Sequence, residues 1–199
     1  MLSTRLLLLP VAAAAVLLAG CGSSPAAPSS PSSSASSSSS SAVDVTGTFG
    51  TQGVALTYDP ELVPEGATAR VTGETTDATS TITLAVTGLL PNRTYGAHAH
   101  QKACGPAAAD SGPHFQHAAD PVTPSVDPAF ANPANEVWLD FTTDASGAGS
   151  VTATQAEWAF TPDRAAQSVV VHEKATATEA GKAGTAGDRV GCVTVDFAP

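Results

Sequence analysis

Thr81-Ile82-Thr83-Leu84-Ala85-Val86-Thr87 alternates polar and apolar side chains at a period of two. That is the signature of a half-buried β-strand, because successive side chains on a strand point to opposite faces. No segment shows a convincing helical period, so the alternation sets the fold class. Val169-Val170-Val171 and the stretch from Val190 to Phe197 are also β-rich, and Val137 to Thr143 carries Trp, Leu and Phe in alternation. Turn signals separate these runs at Gly88, Pro91-Asn92, Asp144-Ala145-Ser146-Gly147 and Gly184 to Gly187. Short strands punctuated in this way predict an all-β sandwich or barrel. The stretch from Gly105 to Asn135 is rich in Ala, Pro and Asp and has no strand pattern. Loops of that length inside one domain usually carry function.

The domain does not begin at residue 1. Arg5 gives a short positive start, Leu6 to Leu18 is an apolar run broken only by Pro10, and Leu18-Ala19-Gly20-Cys21 closes it. The run is too short to span a membrane comfortably. Small residues ahead of a cysteine resemble the bacterial lipobox, which implies a lipoprotein signal peptide over 1–20 and lipidation of Cys21. Residues 21–42 are then almost entirely Ser, Pro and Ala. Such a stretch has nothing to bury against its ordering entropy and reads as a disordered tether. Residues 43–199 are left as one domain, exported and lipid-anchored to the bacterial cell membrane.

Eight Lys and Arg stand against 18 Asp and Glu, a formal charge of −10. Nucleic acid and anionic lipid both need basic patches, so that balance excludes them as direct partners. The five histidines fall into short clusters: His98-Ala99-His100, His114-Phe115-Gln116-His117 and His172. Period-two spacing puts His98 and His100 on one face of a strand, suited to two ligands on one ion. Imidazole-rich sites suit copper or zinc better than a hard, carboxylate-seeking ion.

Four segments occur in order: Gly96-Ala97-His98-Ala99-His100, Gly112-Pro113-His114-Phe115, Val170-Val171-His172-Glu173-Lys174, and Gly187-Asp188-Arg189-Val190-Gly191-Cys192. Together they resemble the signature segments of the copper–zinc superoxide dismutases, from about Thr81 to Cys192. The resemblance implies a Greek-key β-barrel or sandwich with long active-site loops. It implies copper held by His98, His100, His114 and His172, with superoxide as substrate, dioxygen and hydrogen peroxide as products, and copper cycling between two oxidation states. Arg189 would attract and orient the superoxide, helped by Lys174 or Lys182. His114 would release copper on reduction and carry a proton. Cys104 and Cys192 would form a disulfide, leaving Cys21 for lipid.

The zinc half of the pattern is incomplete. The family's two metals together need six histidines, and this chain has five. The segment Asn135-Glu136-Val137-Trp138-Leu139-Asp140 lies where a His-x-x-Asp pair of ligands should return, and it has no His. Thr176 occupies the position of the Asp that links the two metal sites in the family. His117, Asp120, Asp127 and Glu136 are the candidates for a substitute zinc site or for supporting roles around the copper. The expectation is a copper-only dismutase without zinc. The alternative is a lipid-anchored copper-binding or copper-buffering protein on the same fold, with little turnover.

Overall fold

The structure is a computed structural model that describes residues 40–199. The expected signal peptide, Cys21 and the tether up to residue 39 lie outside the described residues.

Among the described residues, nine strands form two antiparallel sheets. In chain order they are β1 (Ser41–Thr48), β2 (Ala55–Thr57), β3 (Thr68–Thr75), β4 (Ser80–Thr87), β5 (Thr94–His100), β6 (Phe141–Thr142), β7 (Gly149–Gln155), β8 (Ser168–His172) and β9 (Arg189–Thr194). One sheet has the order β1-β3-β4-β7 and the other β2-β9-β8-β5-β6. The strand over Thr81–Thr87 stands as expected, with Ile82, Leu84 and Val86 buried and the threonines outward. Those residues pack with Val71, Tyr95, Leu139, Val169 and Val171 into one core between the sheets, the two-layer solution open to half-apolar sheets. The first strand starts at Ser41, so the last two residues of the Ser/Pro/Ala-rich stretch already pair with β3.

Val137 to Thr143 departs from its expected strand. Only Phe141–Thr142 is regular, although Val137 and Leu139 do lie alongside β5 through Ala99 N–H to Val137 O (3.2 Å) and Leu139 N–H to Ala97 O (2.7 Å). The Asp140 carboxylate takes the Ala97 N–H at 3.3 Å, so a side chain accepts where a continued ladder would use a backbone carbonyl. The run from Val190 likewise ends as a strand at Thr194.

Two long connections join strands of the second sheet, the first leaving β5 after His100 and the second leaving β8 after His172, at the other end of that antiparallel pairing. Residues 101–140 join β5 to β6 and contain one short 3₁₀ turn, Ala108–Ser111; residues 173–188 join β8 to β9. The second connection comes close to β5 because Gly96 has no side chain. A Cβ there would lie 2.6 Å from Lys174 O and 2.7 Å from Ala186 Cβ, where Gly96 N–H now donates to Lys174 O at 2.7 Å.

Candidate metal centre

The alternation along β5 sorts its side chains. Tyr95, Ala97 and Ala99 enter the core, and His98 and His100 take the opposite face, where the long connections bury them completely. The β8 register sets His172 opposite Gly96 and Val170 opposite His98; paired residues share a face, so His172 lies on the face of His98, diagonal to it. A bulge between Val171 and His172 shifts the pairing so that His172 faces Arg189, a common way of re-aiming a side chain. His114 arrives from the 101–140 connection through a bridge to His100.

The result is a single cluster. One ring nitrogen from each of His98, His100, His114 and His172 lies within 4.8 Å of the others. It is the one group of three or more potential ligands among the described residues. The other ring nitrogens are committed. His100 Nδ1 donates to Gly112 O at 2.9 Å, and His172 Nδ1 lies 3.5 Å from Gly187 O. His98 Nε2 lies 2.8 Å from Thr176 Oγ1. His114 Nδ1 donates to Glu136 Oε2 at 2.8 Å. Glu136 is 1% exposed and also accepts from Trp138 Nε1 at 2.7 Å and Gln116 Nε2 at 2.8 Å. Indole and amide N–H groups only donate, so both carboxylate oxygens are acceptors and the proton on that edge of His114 sits on Nδ1.

The donor set fits copper. His98 Nδ1, His100 Nε2 and His172 Nε2 are buried without a hydrogen-bond partner, a costly state for a polar atom unless something binds it. Burial, followed by the charges of neighbouring imidazoles, holds His98 and His100 well below the usual histidine range. Burial and His114 push His172 down to about 3. The rings are therefore neutral at pH 7 with lone pairs available, as a metal requires. Four imidazoles and no carboxylate is a borderline-soft set suited to copper.

A cleft of about 480 Å³ opens beside the cluster, lined by His114, Glu136, His172, Val122, Thr185 and Arg189 among others. Arg189 forms no ion pair with Asp188. Its guanidinium donates to Ala108 O and Ser111 Oγ, both at 3.0 Å, and burial lowers its pKa from the ordinary value without removing the charge. The Cys104–Cys192 disulfide fastens the start of the 101–140 connection to β9 and so holds the turn that grips Arg189. Lys174 pairs instead with Glu173 at 3.3 Å, and neither Lys174 nor Lys182 lines the cleft.

The copper/zinc superoxide dismutase (SODC) family pattern matches residues 66–195. The chain belongs to the copper/zinc superoxide dismutase family. The fold is similar to that of the Cu/Zn superoxide dismutase from Brucella abortus, with a TM-score of 0.52 and 16% identity over 77% of this chain and 99% of that one. No curated protein matches the sequence.

The remaining candidates separate. Glu136 touches His114 as described. His117 stacks on Trp158, with ring centroids 5.2 Å apart. Asp120 accepts from Val122 N–H and Ser125 Oγ, and Asp127 from Ala129 N–H. None of these three joins the imidazole cluster, but Asp120 lines the cleft with His114 and is tied to Glu136 through Ser125 and Gln116. Sequence reasoning missed Asp140, which holds Thr176, and Ser111, which holds Arg189; neither has a local motif to mark it.

Proposed function

We propose that this protein is an extracytoplasmic, lipid-anchored superoxide dismutase that uses copper alone. The observation that carries the reading is the trio of buried, unpartnered ring nitrogens beside His114 and Arg189 at an open cleft. His98 through Nδ1, and His100, His114 and His172 through Nε2, would hold the ion. Copper, when bound there, supplies the one-electron couple by which one superoxide leaves as dioxygen and a second as hydrogen peroxide.

The chain's own residues do the rest. With NH1 committed to Ala108 and Ser111, the NH2 and Nε donors of Arg189 remain to orient an anion in the cleft. That local cation works against a chain of net charge −10, so attraction is confined to the cleft. His114 is the most open of the four, its side chain 18% exposed. Its Nδ1 proton is engaged by Glu136, so any proton it delivers to the cleft comes from Nε2.

Metal content and dismutase rate measured on one preparation test the proposal. About one copper per chain and turnover without added zinc are expected. A requirement for stoichiometric zinc overturns the copper-only reading; full copper loading without turnover leaves a copper-buffering protein. Cys21→Ala should abolish partitioning into detergent, and unchanged partitioning removes the anchor.

A further inference from the structure

We propose that Thr176 and Asp140 form one positioning unit that fixes His98 as an Nδ1 ligand. The proposal rests on the copper site described above. Asp140 Oδ1 lies 2.6 Å from Thr176 Oγ1 and its Oδ2 2.7 Å from Thr176 N. The Thr176 hydroxyl has one proton, and it goes to the carboxylate, which also receives the backbone N–H. Thr176 Oγ1 can then only accept from His98 Nε2, 2.8 Å away. The Nε2 of His98 therefore carries the ring proton, and its lone pair lies on Nδ1, the buried atom left without a partner.

Direct contact is weak by comparison, since Asp140 Oδ1 is 3.9 Å from His98 Nε2. The carboxylate acts on the ring through the hydroxyl. The unit also joins the two long connections, with Asp140 ending the first and Thr176 lying within the second. A further 3.3 Å bond from Ala97 N–H locates Asp140 against β5. Partners of this kind fix both the tautomer and the ring orientation of a ligating histidine. Orientation matters here because His98 alone of the four presents Nδ1, the nitrogen nearer its backbone.

The test uses Thr176→Val, which keeps the shape and removes the hydroxyl, together with Thr176→Ser and Asp140→Asn. In protein stripped of metal, long-range ¹H–¹⁵N NMR should find His98 wholly in the Nε2–H form in the parent and Thr176→Ser. Thr176→Val should show a mixture. Copper(II) affinity, read by competition with a chromophoric chelator, should fall about ten- to a hundredfold in Thr176→Val and recover in Thr176→Ser. Asp140→Asn puts an amide donor against the Thr176 donors and should lose affinity in the same direction, which covers the case of a Thr176→Val protein that does not fold. A parent-like tautomer and affinity in either Thr176→Val or Asp140→Asn overturns the assignment. Neither readout involves turnover, so a copper-binding protein that fails to dismutate superoxide would overturn the functional reading and leave this one standing.

Discussion

Lowering the pH of the metal-free protein from 7 to 5 should destabilise it before any carboxylate is involved. In the folded chain burial keeps His172 neutral down to about pH 3, against an ordinary value of 6.5. The unfolded chain therefore binds a proton that the folded chain refuses. Stability contributed by this group is present above pH 6.5, declines as pH falls below it, and is fully lost only near pH 3. At pH 5 the loss is about 2 kcal/mol, from 1.36 kcal/mol per unit. His98 and His100, both buried and both held well below the usual range, add losses of the same sign. Asp44 and Asp144, the carboxylates with lowered values, start from 3.8 and are exposed, so they act only below this window.

Against a typical domain stability of about 5–15 kcal/mol that loss is large. Urea unfolding of chelator-treated protein measures it directly. With a slope of about 2 kcal/mol per molar, the His172 share alone lowers the midpoint by about 1 M between pH 7 and pH 5. His172→Gln should remove that share of the pH dependence. A midpoint unchanged between the two pH values would refute the reasoning, because it would require the buried imidazoles to accept protons as readily as exposed ones.

Other expectations follow from single contacts. The Cys104–Cys192 bond closes 88 residues of sequence separation and is worth about 4–5 kcal/mol in the chain-entropy model, so the double Cys→Ser variant should melt roughly 10–20 °C lower by calorimetry. Arg189→Ala should slow turnover with copper content unchanged, and the deficit measured by stopped flow should shrink as salt rises. Glu136→Gln introduces a donor among three donors at a buried position and should cost about 1–3 kcal/mol in urea unfolding, whereas His117→Ala, at an exposed ring, should keep most of the activity.

The sequence exposed those parts of the molecule whose cause is local. Thr81 to Thr87 shows its strand because every inward residue is a large aliphatic. The strands β3 and β7 alternate just as regularly, yet their inward or half-buried positions include Ala69, Gly73 and Ala153 beside many threonines, which blunts the contrast. The four clustered histidines sit in short motifs and were all legible. Their partners were not, because they are remote in sequence: Asp140 is 36 residues from Thr176, Glu136 is 22 from His114, and Ser111 is 78 from Arg189. Two of the imidazole partners, Gly112 O and Gly187 O, are backbone carbonyls and carry no side-chain identity to read.

The segment from Glu136 to Asp140 joins the departures noted in the sequence. It runs beside β5 in extended form, so its side chains alternate: Val137 and Leu139 are fully buried in the core, and Glu136, Trp138 and Asp140 face the histidines. Two carboxylates four residues apart thus reach different imidazoles, Glu136 directly to His114 and Asp140 through Thr176 to His98. The family pattern expects zinc ligands in this segment and a linking Asp at the position of Thr176. Here one β-like segment supplies the acceptor for His114 and, through Thr176, holds the acceptor for His98, with Trp138 and Gln116 satisfying the remaining capacity of Glu136. On the proposed copper-only reading the missing histidines, the glutamate and the threonine are parts of one exchange, in which hydrogen bonds orient His114 and His98 where a second ion and its linking carboxylate would otherwise do so.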